Sequence, residues 1–199
     1  MKIILLFSIL SFSSLSLQSQ NSLFEFQNDN SIDKYLEENK LSCNKSELFI
    51  FKNFDSFITY NNNGYLVGPI VHVFNSDGIY LENFKLSEVI DKLSNFKNIR
   101  KKPKKKAINI DSWINKIVNY KTLKPLLKQD NKDYYFVLNW AIFFNKDINN
   151  EALFKWYEVL ERQKLNGKDI QVILINMDLQ DSWNLSEEKK ESILKQANK

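Results

Sequence analysis

Tyr134-Tyr-Phe-Val-Leu-Asn-Trp-Ala-Ile-Phe-Phe-Asn-Lys-Asp147 begins as an apolar run of strand length and continues into a more polar segment. Apolar residues then recur at helical spacing between Leu153 and Leu160, and a second apolar run spans 170–175. Short apolar runs are typical of buried strands, and the 3.6-residue period is typical of an amphipathic helix. The order predicts a β-α-β unit, and therefore an α/β fold with a mixed central sheet and helices on both faces.

The first half of the chain predicts the element order α-β-α-β-β-α. Ser31 is a capping-type residue before an apolar helical pattern, and the Asn75–Gly78 cluster is a turn signal between two apolar runs. The expected elements are a helix over 31–39, a strand over 48–51, a helix over 54–60, a hairpin over 68–74 and 79–84, and a helix carrying residues 86, 89, 90 and 93.

A basic run, residues 97–106, separates this half from the second. It contains seven Lys or Arg residues and a proline, so it is predicted to be a solvated linker or arm. Beyond it we expect a helix over 110–117, a further helical turn over 121–128, the β-α-β unit and a closing helix over 186–195. Residues 21–96 and 107–199 thus form two halves, which we expect to pack together as one domain.

Residues 1–20 have the layout of a secretory signal peptide. Lys2 precedes a continuous apolar stretch, and a Ser-rich region with small residues follows it. The alternative is an N-terminal helix of a cytosolic protein. The segment is short and Ser-rich for a membrane anchor, and no later run has the length to span a bilayer. The pattern predicts a secreted or periplasmic protein.

Composition limits the available chemistry. The 199-residue chain is 43% hydrophobic, which is enough for a full core, and it carries a formal net charge of +4. Cys43 is the sole cysteine and His72 the sole histidine, so an internal disulfide and a structural zinc site are excluded and no cofactor is expected. Cys43 is expected to be a buried small side chain; an intermolecular disulfide and a reactive thiol are the alternatives. His72, within an apolar strand, is expected to be structural.

Two segments resemble the thioredoxin-like superfamily. In that family a strand ends in Trp-Ala shortly before the redox Cys-x-x-Cys, and Asn139-Trp140-Ala141 is similar, with Phe144 and Asp147 at the two cysteine positions. The family's cis-proline hairpin is similar to the hairpin that begins at Gly68-Pro69. The hairpin precedes the Trp-Ala segment here, which is the reverse of the family's order. The resemblance therefore implies either permuted order in one domain or two separate degenerate units, unless one match is chance.

The resemblance implies a site without its redox chemistry. Disulfide exchange needs a thiolate and a resolving thiol, which Phe144 and Asp147 cannot supply, so a self-contained thiol oxidoreductase is excluded. If the cleft persists, it is an apolar groove for an extended peptide or a protein partner. The candidate groove residues are Pro69, Trp140, Phe143, Phe144 and Asp147. These features together predict an exported, non-catalytic thioredoxin-like binding or scaffold protein.

Two other functions remain open at this point. One is a secreted hydrolase in which carboxylates such as Asp147, Asp178 and Asp181 converge. The other is a surface protein that binds polyanions through the basic run; nucleic acid is not expected, because the remainder of the chain is slightly acidic. The candidate polyanion contacts are Arg100, Lys101, Lys102, Lys104, Lys105 and Lys106.

Overall fold

A computed structural model describes residues 24–65, 68–84, 86–103, 107–144 and 148–198. Its centre is a six-stranded sheet with the order β4-β3-β6-β7-β2-β5, and a two-stranded sheet pairs β1 with β8. The strands are β1 (Phe26–Gln27), β2 (Leu48–Phe51), β3 (Ile70–Asn75), β4 (Tyr80–Phe84), β5 (Ile117–Asn119), β6 (Tyr134–Trp140), β7 (Ile170–Asn176) and β8 (Leu179–Gln180). The helices are α1 (Asp29–Glu38), α2 (Phe54–Asn62), α3 (Val89–Ser94), α4 (Asp111–Ile114), α5 (Phe154–Leu165) and α6 (Glu187–Ala197).

Both halves of the chain contribute to the large sheet. Strands β2, β3 and β4 come from the first half, and β5, β6 and β7 from the second. Strands β6 and β7 are parallel, as are β7 and β2, whereas β3 runs antiparallel to β6 and to β4. The predicted α/β fold with a mixed sheet is confirmed.

Helices cover both faces of this sheet. One core cluster joins α1, α3 and α5 to side chains such as Phe136 and Leu138 of β6. The other cluster joins α2, α4 and α6 to Tyr135 and Val137 of the same strand. Successive side chains of a strand point to opposite faces, so a strand that is buried on both sides is apolar along its whole length.

Helix starts follow the expected capping chemistry, with one shift. Helix α1 begins at Asp29 because Asn28 is its cap: the Asn28 side chain accepts from the Ser31 amide at 2.9 Å, and the Ser31 hydroxyl accepts from the Asn28 amide at 2.9 Å. The expectation that Ser31 itself is the cap was wrong by one turn. Ser186 caps α6 as its sequence suggests.

The segment after the basic run differs from its prediction. The helix expected over 110–117 ends at Ile114, and Ile117 begins β5, which pairs with the edge of β2. The helical turn expected over 121–128 is a loop, in which Pro125 forms an isolated bridge with Val118. Edge pairing in this region prevails over local helical spacing. Across the described residues, every helix is too short or too polar to cross a bilayer.

Candidate functional site

The candidate site lies at the end of the sheet where β6 and β7 finish. Trp140 and Asn176, the last residues of these parallel strands, are paired in the ladder. Strand β3 begins beside them, with Ile70 opposite Asn139, and the Gly68–Pro69 peptide bond that precedes it is cis. Antiparallel register therefore brings Gly68–Pro69 next to the residues after β6. In α/β proteins, ligands bind at the carboxyl ends of parallel strands.

Phe144, which the sequence resemblance places at the first of the two cysteine positions, is buried against Gly68. The side chain is 7% exposed and forms a small apolar cluster with Ala141 and Met177. A Cβ atom built on Gly68 would lie 2.6 Å from Cε2 of Phe144 and 3.0 Å from Cε of Met177. The ring can occupy this position because residue 68 has no side chain. Asp147, at the second cysteine position, lies outside the described residues.

The remaining predicted groove residues differ in exposure. Phe143 is half-buried, and its ring centroid lies 4.5 Å from that of Phe24 and 4.9 Å from that of Phe144. Pro69 is also half-buried. Trp140 has no exposed surface and packs on Phe154, so the expectation that it lines a groove was wrong. Its indole belongs to the core because position 140 points to the face of the sheet that α1, α3 and α5 cover.

Phe24 covers Phe143 from a fixed position. The Phe24 amide donates to Oδ1 of Asn198 at 2.8 Å, and the Asn198 side-chain amide donates back to the Phe24 carbonyl at 3.3 Å. Two residues further on, β1 pairs in parallel with β8. The start of the described chain is therefore held against the candidate site by backbone hydrogen bonds and a ring contact.

Asp178 fixes the turn that carries Phe143 and Phe144. Its Oδ2 accepts from the Ile142 amide at 2.7 Å and from Nδ2 of Asn176 at 2.6 Å, and its Oδ1 accepts from the Phe143 amide at 3.3 Å. Burial raises the pKa of Asp178 to about 6, although these three donors act in the opposite direction. The carboxyl group thus has a structural role, since it satisfies backbone amides beyond the end of β6.

The carboxylates proposed for a hydrolase engage separate partners. Asp178 binds backbone amides, whereas Asp181 accepts from Nζ of Lys190 at 3.0 Å. Within the described ranges, no group of three or more His, Cys, Asp or Glu side chains is arranged to hold a metal ion. The geometry gives the described carboxylates structural partners in place of a shared reaction centre.

Asn149 is a site residue that the sequence analysis missed. It is fully buried at the start of a π-helical segment, Asn149–Leu153, and its Nδ2 donates to the Tyr35 hydroxyl at 2.7 Å and to the Ala141 carbonyl at 2.8 Å. Its Oδ1 has no hydrogen-bond partner in the described part of the chain. Asn149 thereby links the segment that leads into α5 to the end of β6 and to α1. The available signal was an Asn-Asn pair ahead of an apolar helical pattern.

His72 lies in an aromatic cluster on the face of the sheet that α2, α4 and α6 cover. It is 3% exposed, its ring is perpendicular to Trp113 with centroids 4.7 Å apart, and Tyr65 and Tyr80 lie beside it. Neither ring nitrogen has a hydrogen-bond partner among the described residues, and burial lowers the pKa of His72 to about 3. The imidazole is therefore neutral at physiological pH, and its contacts are those of a core side chain.

Cys43 is remote from the candidate site. It precedes β2, which β7 separates from β6, and it packs against the core cluster on the α1 face. Burial and the nearby Glu47 carboxylate raise the pKa of the Cys43 thiol to about 12. Because the thiolate is the reactive form, this cysteine is unreactive at neutral pH.

The basic run is attached to β4 on both sides. Ile99 is buried, the Arg100 amide donates to Oε1 of Glu82 at 2.6 Å, and the Tyr80 amide donates to the Ile108 carbonyl at 2.9 Å. Lys97 and the charged side chains of Arg100, Lys101 and Lys102 are exposed, as predicted; Lys104, Lys105 and Lys106 lie outside the described residues. The described part is thus a solvated loop that is anchored to β4.

Comparison with protein-family models, with curated proteins and with solved structures gives no match to this chain.

Proposed function

We propose that the protein is an exported, non-catalytic binding or scaffold protein whose thioredoxin-like elements occur in permuted order. The observation that carries this proposal is the pairing of β3 with β6. The hairpin that begins at Pro69 adjoins β6, which ends at Trp140, although the hairpin comes first in the chain. Strand β7 flanks β6 on the other side and completes the predicted β-α-β unit.

The proposed absence of thiol chemistry rests on Phe144 and Asp147, which stand at the two matched cysteine positions. Phe144 fills the space beside Gly68, and the single thiol of the chain belongs to Cys43, on the far side of β7. Thiol-disulfide exchange needs an accessible thiolate and a second thiol. An insulin-reduction assay is expected to give no turnover for the wild type and the same background rate for Cys43→Ser. Turnover that disappears in Cys43→Ser would contradict the proposal.

The surface proposed for binding includes Phe143 and Pro69, which are both half-buried, and the Phe24 ring contacts Phe143. Apolar pockets beside a strand end suit extended peptides, which supply both side chains and backbone hydrogen bonds. The natural occupant is an extended apolar segment of a partner protein. Residues 24–27 of the protein itself resemble such a bound segment, since Phe24 contacts Phe143 and residues 26 and 27 form the short strand β1.

Peptide selection followed by NMR tests this surface. Peptides selected from a random display library on the immobilised protein are titrated into the isotope-labelled protein, and amide shifts are mapped. The expected perturbations centre on Phe143, Phe144 and the residues after Pro69, and Phe143→Ala is expected to weaken binding by about tenfold, as for a central aromatic contact. Perturbations confined to other surfaces, or equal affinity for Phe143→Ala, would refute the proposed groove.

A second candidate function is polyanion binding by the basic run, and the exposure of Lys97, Arg100, Lys101 and Lys102 favours it. Retention on heparin at physiological salt measures this function. The wild type is expected to be retained, and replacement of the five lysines is expected to abolish retention. Weak retention by the wild type at that salt would exclude this function. The replaced lysines are Lys101, Lys102, Lys104, Lys105 and Lys106.

A further inference from the structure

A cleft of about 580 Å³ opens at the other end of β7, away from the candidate site. It lies between the segment 44–49, which leads into β2, and the loop 119–129, which follows β5. Gln171 and Val172, near the start of β7, line it as well. We call it the lysine cleft, after Lys45, Lys121 and Lys124, which line it.

The lysine cleft exists because β7 is longer than β2, its neighbour on this side. Strand β7 begins at Ile170, but β2 first pairs with it at Leu174, opposite Leu48. The loop that approaches this gap is held by the side chain of Gln171, which accepts from the Gln129 amide and donates to the Leu127 carbonyl, each at 3.0 Å. Side-chain bonds keep the loop at a greater distance than a backbone ladder would, so a space remains.

The base of the cleft is apolar and its rim is cationic. Phe49, Leu126 and Val172 are buried residues of its lining, and such apolar lining can bind a hydrocarbon or aromatic group. Lys45, Lys121 and Lys124 are exposed and form the rim.

The rim lysines differ in their ion pairs. Lys45 and Lys121 bind the two oxygens of Asp33 at 2.7 Å and 2.8 Å. Lys124 has no ion pair among the described residues. Glu47, the acidic residue of the lining, is bound by Lys164 and by the Tyr157 hydroxyl, so its charge is compensated. The rim therefore retains a net positive charge, with Lys124 as the cation that has the greatest capacity for an added anion.

We infer that the lysine cleft binds a small amphipathic anion: an apolar body with a carboxylate, sulfonate or phosphate group at one end. The apolar body contacts Phe49 and Val172, and the anionic group is bound by Lys124 with support from Lys121. The volume falls in the range of pockets that hold small organic ligands. This site is separate from the peptide groove, so its occupancy does not depend on the proposed function.

The test uses two matched probes that share one apolar body. 8-Anilinonaphthalene-1-sulfonate carries an anionic group, and N-phenyl-1-naphthylamine is the same ring system without it. With the full chain, the sulfonate is expected to bind with one-to-one stoichiometry, about tenfold more tightly than the neutral probe, and to raise the melting temperature. Equal affinity for the two probes would overturn the inference.

Charge reversal at the rim locates the site. Lys124→Glu is expected to weaken binding of the sulfonate by about tenfold and to leave the neutral probe unchanged, because the lysine is exposed and outside the core. Lys102→Glu is the matched control, with the same charge change in the basic run, and it is expected to have no effect. Amide shifts caused by the sulfonate should centre on Gln129, Gln171 and Val172. Unchanged binding in Lys124→Glu, or shifts centred elsewhere, would refute the site.

Discussion

Replacement of Gly68 by alanine tests whether its contact with Phe144 shapes the candidate site. The added Cβ would lie 2.6 Å from Cε2 of the Phe144 ring, whereas carbon atoms in contact are normally about 3.5–4.0 Å apart. The ring, which is 7% exposed and packed on Met177, must move by about 1 Å. Overpacking of this size costs about 1–3 kcal/mol of unfolding free energy.

A double-mutant cycle separates this contact from other effects of the substitution. Phe144→Ala alone is expected to cost about 3–5 kcal/mol, as for other buried phenylalanines. In that background Gly68→Ala should be nearly neutral, because the clashing ring is gone, which gives a coupling energy of about 1–3 kcal/mol.

Urea unfolding followed by tryptophan fluorescence gives the four free energies of unfolding in this cycle. The reasoning is refuted if the two substitutions are additive, or if Gly68→Ala is as stable as the wild type. Either result would mean that Gly68 and the Phe144 ring are not in contact and that the site is built differently.

Three further predictions concern single side chains. Relative to His72→Phe, the wild type should lose about 2 kcal/mol of unfolding free energy between pH 7.5 and 5. The reason is that His72 protonates near its usual pKa in the unfolded chain, whereas its pKa in the folded protein is about 3. Parallel stability profiles of the two proteins against pH would contradict this. Asp178→Ala should lower the free energy of unfolding in urea by about 3 kcal/mol, because two backbone amides and a side-chain amide lose this acceptor. The matched Asp181→Ala should lower it by less than about 1 kcal/mol. Equal costs would contradict the structural role of Asp178. Phe24→Ala should lower the free energy of unfolding by about 1 kcal/mol, because the ring contact with Phe143 is lost. The same change exposes Phe143 and should tighten binding of the selected peptides, measured by fluorescence anisotropy. Unchanged peptide affinity would argue against the groove.

The parts of the fold that could be predicted are those with strong periodicity. Strands β6 and β7 each contain a long apolar run because they are buried on both faces, and this pattern is visible in the sequence. Ile117 was predicted to be helical and is not. Its spacing from Ile114 fits a helix, but it joins β5, because the edge of β2 offers backbone partners that no local pattern encodes.

The adjacency of Gly68-Pro69 to the end of β6 was predictable from the sequence, whereas the contacts around it were not. The position came from the Trp140-Ala141 and Gly68-Pro69 resemblance, since periodicity alone does not reveal which strands become neighbours. The roles of Asp178 and Asn149 depend on where the backbone groups after β6 lie, which only the folded chain defines. Burial of Trp140 depends on which face of β6 the crossover helix covers.

Introduction of a dithiol at positions 144 and 147 tests the central proposal most directly. Phe144→Cys and Asp147→Cys are introduced together into a Cys43→Ser background, with the single Phe144→Cys variant as control. A permuted thioredoxin-like corner predicts that the pair forms an intramolecular disulfide and reduces insulin with turnover, whereas the control does not. Two free thiols that fail to form a disulfide under oxidising conditions, together with insulin reduction at the background rate, would contradict the proposal.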